Sequence, residues 1–88
     1  MELKLITAIA EGDFSTILNI TSQLSDSERY DTIAAIKGLN PYSEKDFPRK
    51  NVAAKDIYHH NHLVSQALNY ALITMVREES DMPKVIMD

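Results

Sequence analysis

Apolar side chains recur along this chain at three- and four-residue intervals, the spacing that sets one face of a helix. Leu3, Ile6, Ile9 and Ala10 make the first such stripe, and Phe14, Ile17, Leu18 and Thr21 make a second that ends near Leu24. Tyr30, Ile33, Ala34 and Lys37 share a third spacing of the same kind. The last is the longest: from about Val52 to Glu79 there is no glycine or proline. Within it Ile57, Val64, Ala67, Leu68, Ala71, Leu72 and Met75 fall on one face, flanked by Leu63, Tyr70, Ile73 and Val76. A helix apolar over more than half its circumference predicts a central element with shorter helices around it. The expected fold is therefore all-α, a small bundle of three short helices packed on one long C-terminal helix, in a single domain.

The boundaries carry their own signals. Between the first two stripes stands "EGD", with Gly12 suited to a left-handed helix stop and Asp13 to an N-cap whose carboxylate accepts free backbone N–H groups. Ser25 and Glu28 match the Ser-x-x-Glu capping box ahead of the third helix. Gly38 reads as a C-cap, and Pro41 disfavours helical geometry at Asn40. Residues 39–51 hold Pro41, Pro48 and several charges without a period, and are expected to form an exposed loop. Pro83 closes the last helix, leaving 80–88 as a flexible tail or a small docking strand.

Composition narrows the chemistry. At 88 residues, 44% hydrophobic and 25% charged, the chain fits one globular domain with a modest core. It has no cysteine, which excludes disulfides, thiolate zinc sites and cysteine nucleophiles and fits a reducing compartment. The opening "MELKLITAIAEG" lacks the basic region and apolar stretch of a secretory signal, and no run reaches the roughly 18 apolar residues of a membrane span. A cytoplasmic location is expected, with no membrane partner. Net charge is −4, and the basic residues are scattered, the densest group being Lys45, Arg49, Lys50 and Lys55. Binding to duplex DNA, which needs a clustered basic face, is not expected.

Two stretches offer candidate sites. In "DIYHHNH" a helix would set Asp56, His59 and His60 at i, i+3 and i+4, residue types that zinc accepts. No HExxH accompanies them, and His60 lies on the apolar stripe between Ile57 and Val64, where a packed imidazole with one hydrogen bond is expected. No metal or other cofactor is therefore assigned. In and beside "NPYSEKDFPRK", Lys37, Tyr42, Arg49 and Lys50 could together receive an anion or a nucleotide, since aromatic rings beside cations stack on bases and hold phosphates. The preferred expectation is that Tyr42 and Phe47 tuck back against the bundle while the charges keep the loop in water, because a chain with 7% aromatic residues needs these rings for its core. No phosphate loop, nucleophile elbow or Ser-x-x-Lys signature occurs, and the acidic pairs suit caps and solvated helix ends. An enzyme is not expected.

Residues 3–39 resemble the A-I-x-x-G-D helix pair of ankyrin- and HEAT-like helical-repeat proteins, through "AIAEGDFSTI" and the step "LSDSER" into the next helix. They are most similar to helical segments of large bacterial repeat proteins. The resemblance implies an interaction scaffold without catalytic residues. The ankyrin turn Thr-Pro-Leu-His is absent and the Gly-Asp step occurs once, so the long last helix or self-association must cover the apolar face that neighbouring repeats would bury. Two functions are expected, from the surplus apolar surface of the Val52–Glu79 helix and the absence of a catalytic constellation. The first is a non-catalytic module that binds a protein partner or itself through Leu63, Tyr70, Ile73 and Val76. The alternative is a small oligomeric chain similar to phage-encoded inhibitors of host defence, which would sequester a cyclic or other nucleotide signal at Lys37, Tyr42, Arg49 and Lys50.

Overall fold

A computed structural model describes residues 2–49 and 51–76. Its elements are α1 (Leu3–Glu11), α2 (Phe14–Thr21), α3 (Asp26–Lys37), a short 3-10 turn at Ala54–Asp56, and α4 (Ile57–Met75). There is no strand among the described residues. The three shorter helices all pack on α4, as the sequence predicts.

The junction between α1 and α2 is set locally. Gly12 takes the left-handed geometry, φ 67° and ψ 30°, and its N–H closes onto Ala8 and Ile9 carbonyls. Asp13 then accepts the Thr16 N–H at 3.2 Å through Oδ1 and the Thr16 hydroxyl at 2.7 Å through Oδ2. One residue ends a helix and the next begins another, each satisfying backbone groups that a helix end leaves open. Ahead of α3 the capping box is complete: Ser25 Oγ accepts the Glu28 N–H at 3.3 Å, and Glu28 Oε1 accepts the Ser25 N–H at 2.9 Å. Gly38 caps α3 in right-handed geometry, φ −90° and ψ 0°, so its lack of a side chain is not needed for conformation there.

The core is formed by Leu5, Ala8 and Ile9 of α1, Ile17 of α2, Ile36 of α3, Phe47 of the following loop, and Val64, Ala67, Leu68, Ala71 and Met75 of α4. The inward face of α4 agrees with its apolar stripe. On α1 Ile9 is buried and Ile6 and Ala10 pack against the core as expected, and on α3 Ile33 does so, while the remaining stripe positions of the two helices turn outward. Leu3 is 76% exposed, because Leu5 and Ala8 turn inward instead. On α3 the buried side chains are Arg29, Thr32 and Ile36, while Tyr30, Ala34 and Lys37 are exposed. The reason is at the end of α4, where Arg29 donates to the Met75 carbonyl at 3.3 Å and to Asp26 Oδ1 at 2.7 Å. A cation placed on the final carbonyls of a helix is favourable, and that need outweighs the apolar spacing of α3. Likewise Thr21 is buried on α2 because its hydroxyl lies 2.8 Å from that of Thr74 on α4.

Two boundaries also shift. Residues 39–51 are not simply an exposed loop: Phe47 is fully buried and pins the segment to the core. Around it Asn40 Oδ1 accepts the Tyr42 N–H, Asp46 Oδ2 accepts the Asn40 N–H, and Ser43 accepts the Phe47 N–H, all at 2.9 Å. The long helix begins at Ile57 rather than Val52, since Asn51 sits at φ 59° and the 3-10 turn intervenes. It ends at Met75, with Val76 extended at φ −82° and ψ 111°. The expected helical residues 77–79 and the tail 80–88 lie outside the described residues.

Candidate interaction face

The face of α4 opposite the core runs Tyr58, His62, Gln66, Asn69 and Ile73, at spacings of three and four, and every one of these side chains is exposed. Tyr58 is 83% and Ile73 68% exposed, values at which a large apolar side chain is essentially in water. The Tyr58 and His62 rings lie parallel, 7° between planes and 6.5 Å between centroids, which makes that end of the stripe flat.

Alongside this stripe α2 adds its own outward residues. Phe14 and Leu18, one helical turn apart, are 37% and 47% exposed. Phe14 meets the half-buried Tyr70 of α4 edge to face, ring centroids 5.0 Å apart, so the apolar surfaces of the two helices join. Such a pair adds about 0.5–1.5 kcal/mol beyond its buried area. Farther along, the hydroxyls of Thr21 and Thr74 tie the two helices together.

Within the two helices themselves this surface carries no charge, although Lys55 and Asp56 are exposed just ahead of Tyr58. Neither α2 nor α4 contains an Asp, Glu, Lys or Arg residue. The exposed positions of α2 are Phe14, Ser15, Leu18 and Asn19, and those of α4 are Tyr58, His59, His62, Gln66, Asn69 and Ile73. By contrast α3 exposes Asp26, Glu28, Asp31 and Lys37. The charge bordering the face at the start of α2 is Asp13, occupied by Thr16, whose hydroxyl and backbone N–H hold the carboxyl below its ordinary value of 3.8.

The four side chains first expected to form an interface divide. Ile73 lies out in solvent, and Tyr70 sits beside it, half-covered by Phe14. Leu63 is half-buried at the α1–α2 junction, with its side chain over Gly12. Val76 is half-buried just past the end of α4. Phe14 and Leu18, counted from the sequence as inward, belong to the outward surface; an apolar pair at i, i+4 has the same pattern whichever way it faces. The signal that distinguishes them is the missing charge on α2, since solvated helix faces are ordinarily rich in charged residues.

Of the proposed anion site, the structure brings Tyr42 and Arg49 together and uses them locally. Arg49 donates to the Tyr42 carbonyl and Asn61 Oδ1, each at 3.1 Å, and pairs with Glu44 at 3.1 Å. The guanidinium thereby staples the loop to α4. Tyr42 exposes its ring, 58% accessible, and Lys37 is exposed at the end of α3. Lys50 lies outside the described residues.

Asp56, His59 and His60 do not converge as a metal-binding group, and no set of three His, Asp or Glu side chains does so among the described residues. Asp56 and His59 are exposed, while His60 borders a groove beside Ile6, Ala10 and Glu11 of α1. The hydrogen bond expected for a packed His60 is not formed: its Nε2 is buried without a partner. No helix among the described residues is long and apolar enough to cross a membrane.

No family model, curated protein or solved structure matches this chain.

Proposed function

We propose that this chain is a non-catalytic helical module that binds another polypeptide across the face shared by α2 and α4. The observation that carries the reading is Ile73, 68% exposed beside the Phe14–Tyr70 pair on a surface without charge. Covering a side chain of this kind returns about 1.5–3 kcal/mol relative to leaving it in water. Aromatic residues at the centre of a patch, with charge depleted, are the composition that distinguishes interface cores from other surface.

Sequestration of a nucleotide around Lys37, Tyr42, Arg49 and Lys50 draws less support. It requires Arg49 to exchange its bonds with Tyr42, Glu44 and Asn61 for bonds to a phosphate.

Replacing Ile73 by Asp tests the interaction reading. The variant keeps its helical circular dichroism and thermal midpoint while association, followed by light scattering and cross-linking, falls by at least tenfold. A variant that unfolds instead would assign Ile73 to the core and remove the reading.

A further inference from the structure

We propose that residues 40–49 form a strap that opens and closes as one unit over a bundle that stays folded, with the Phe47 ring as its catch. The strap lies in a different part of the chain from the α2–α4 face, so its opening is independent of what that face receives.

Burial sets the strap apart from the helices. Each α-helix places at least two buried side chains within its own span. Between Ile36 and Val64, the single buried side chain among the described residues is Phe47.

Hydrogen bonding sets it apart a second time. The Asn40 N–H donates to Asp46 Oδ2 and the Phe47 N–H to the Ser43 carbonyl, each at 2.9 Å. The Ser43 N–H donates to the Asn40 carbonyl, and Arg49 to the Tyr42 carbonyl and to Glu44, each at 3.1 Å. All of these bonds begin and end inside the strap, which gives it the character of a compact surface loop held by its own groups. Among the described residues one hydrogen bond leaves it, from Arg49 to Asn61 Oδ1 on α4 at 3.1 Å.

Opening therefore withdraws one ring and breaks one outward bond, while the buried side chains of all four α-helices stay in place. Segments with few buried contacts and solvent-exposed bonds open at a lower free energy than the whole fold. A fully buried phenylalanine is enough to keep the strap closed, and it is too little to merge the strap with the helices. The flanks serve as hinges: Leu39 stays with α3 through the Ile36 carbonyl at 3.0 Å, and Asn51 turns the chain at φ 59°. Because Pro48 lines a groove with Ile6 and Ala10 of α1 and His60 of α4, opening widens that groove as well as emptying the place of Phe47 in the core.

Amide hydrogen exchange of the unmodified chain in low, non-denaturing urea tests the strap. Once Phe47 has left the core, bonds this exposed do not persist, so the amides of Asn40, Ser43 and Phe47 report the opening. They should share one opening free energy and one shallow urea slope, with protection at least tenfold below that of Ala67, Leu68 and Ala71 in α4. Asn61→Ala, which removes the outward bond, should speed the three strap amides by a common factor. Ile17→Val, in the helical core, should speed the α4 amides severalfold and leave the strap amides unchanged. Strap amides that share the protection and steep urea slope of α4, or that respond to Ile17→Val as α4 does, would overturn the separate opening. Three unrelated protections with no common response to Asn61→Ala would overturn motion as a unit.

Discussion

The Gly12 backbone and the Leu63 side chain are so close that a Cβ added at Gly12 would lie 2.7 Å from Leu63 Cδ2. The junction of α1 and α2 is thus fixed twice, by a left-handed backbone at φ 67° and by α4 lying directly over it. Gly12→Ala should cost about 2–4 kcal/mol, combining left-handed strain with overpacking. Urea unfolding measures it. In a Leu63→Ala background the same substitution should cost less, since only the backbone strain remains, and the double-mutant cycle reads the difference.

Arg29 joins α3 to the end of α4 through the Met75 carbonyl while also pairing with Asp26. It is 3% exposed, so its bond to the Met75 carbonyl is made away from water, whereas Asp26 stands 80% exposed. Arg29→Ala is expected to cost about 1.5–3 kcal/mol, the range for hydrogen bonds to a charged group. Arg29→Lys should recover only part of it, because one ammonium does not reproduce the fork that reaches Met75 and Asp26 together. Amide hydrogen exchange in the last turn of α4 should quicken in both variants, more in the alanine one.

Two carboxylates give the fold a dependence on acid. Glu28 is held below its ordinary value of 4.5 by the Ser25 backbone N–H and then the Ser25 hydroxyl, and Asp13 below 3.8 by the Thr16 hydroxyl and then its N–H. A folded-state pKa below the unfolded one means that the carboxylate stabilises the fold above the unfolded value. That contribution is lost as pH falls through the lowered folded value. Thermal midpoints should therefore decline as pH drops below the ordinary carboxyl range. Asp13→Asn with Glu28→Gln should start lower at pH 7 and decline less steeply.

Phe47 and Arg49 hold the segment 39–51 by different means, a fully buried ring and a partly exposed guanidinium. Phe47→Ala should cost about 3–5 kcal/mol as a cavity in the core. Arg49→Ala should cost under about 1 kcal/mol, because its ion pair with Glu44 is open to solvent. Chemical denaturation of the two variants orders them, and the reverse order would make the loop an electrostatic rather than an apolar attachment.

What could be read from the sequence follows from the range of each interaction. Gly12, Asp13 and the Ser25–Glu28 box act within one helical turn, so their roles are visible in neighbouring residues. The inward face of α4 was visible because its apolar stripe is long and continuous. The face of α1 was visible through Ile6, Ile9 and Ala10 but not in its first turn, where Leu5 rather than Leu3 turns inward, and the face of α3 was mostly hidden, since Arg29 rather than Tyr30 turns inward to suit α4, which is distant in sequence. Packing of the loop rings against the bundle could be expected from the scarcity of aromatic residues, and it holds for Phe47 but not for Tyr42, which stays exposed, because which ring finds a cavity depends on elements distant in sequence. At the candidate face, Ile73 and Tyr70 were found from helical spacing, whereas Phe14 and Leu18 needed the packing to show which way they point.

The most direct test of the α2–α4 face places a photoreactive amino acid at position 73 in living cells, with position 44 on the charged loop as the control. The interaction reading predicts a covalent polypeptide adduct from position 73 and none from position 44. Irradiation that gives no adduct at 73, or equal adducts at both positions, would contradict it.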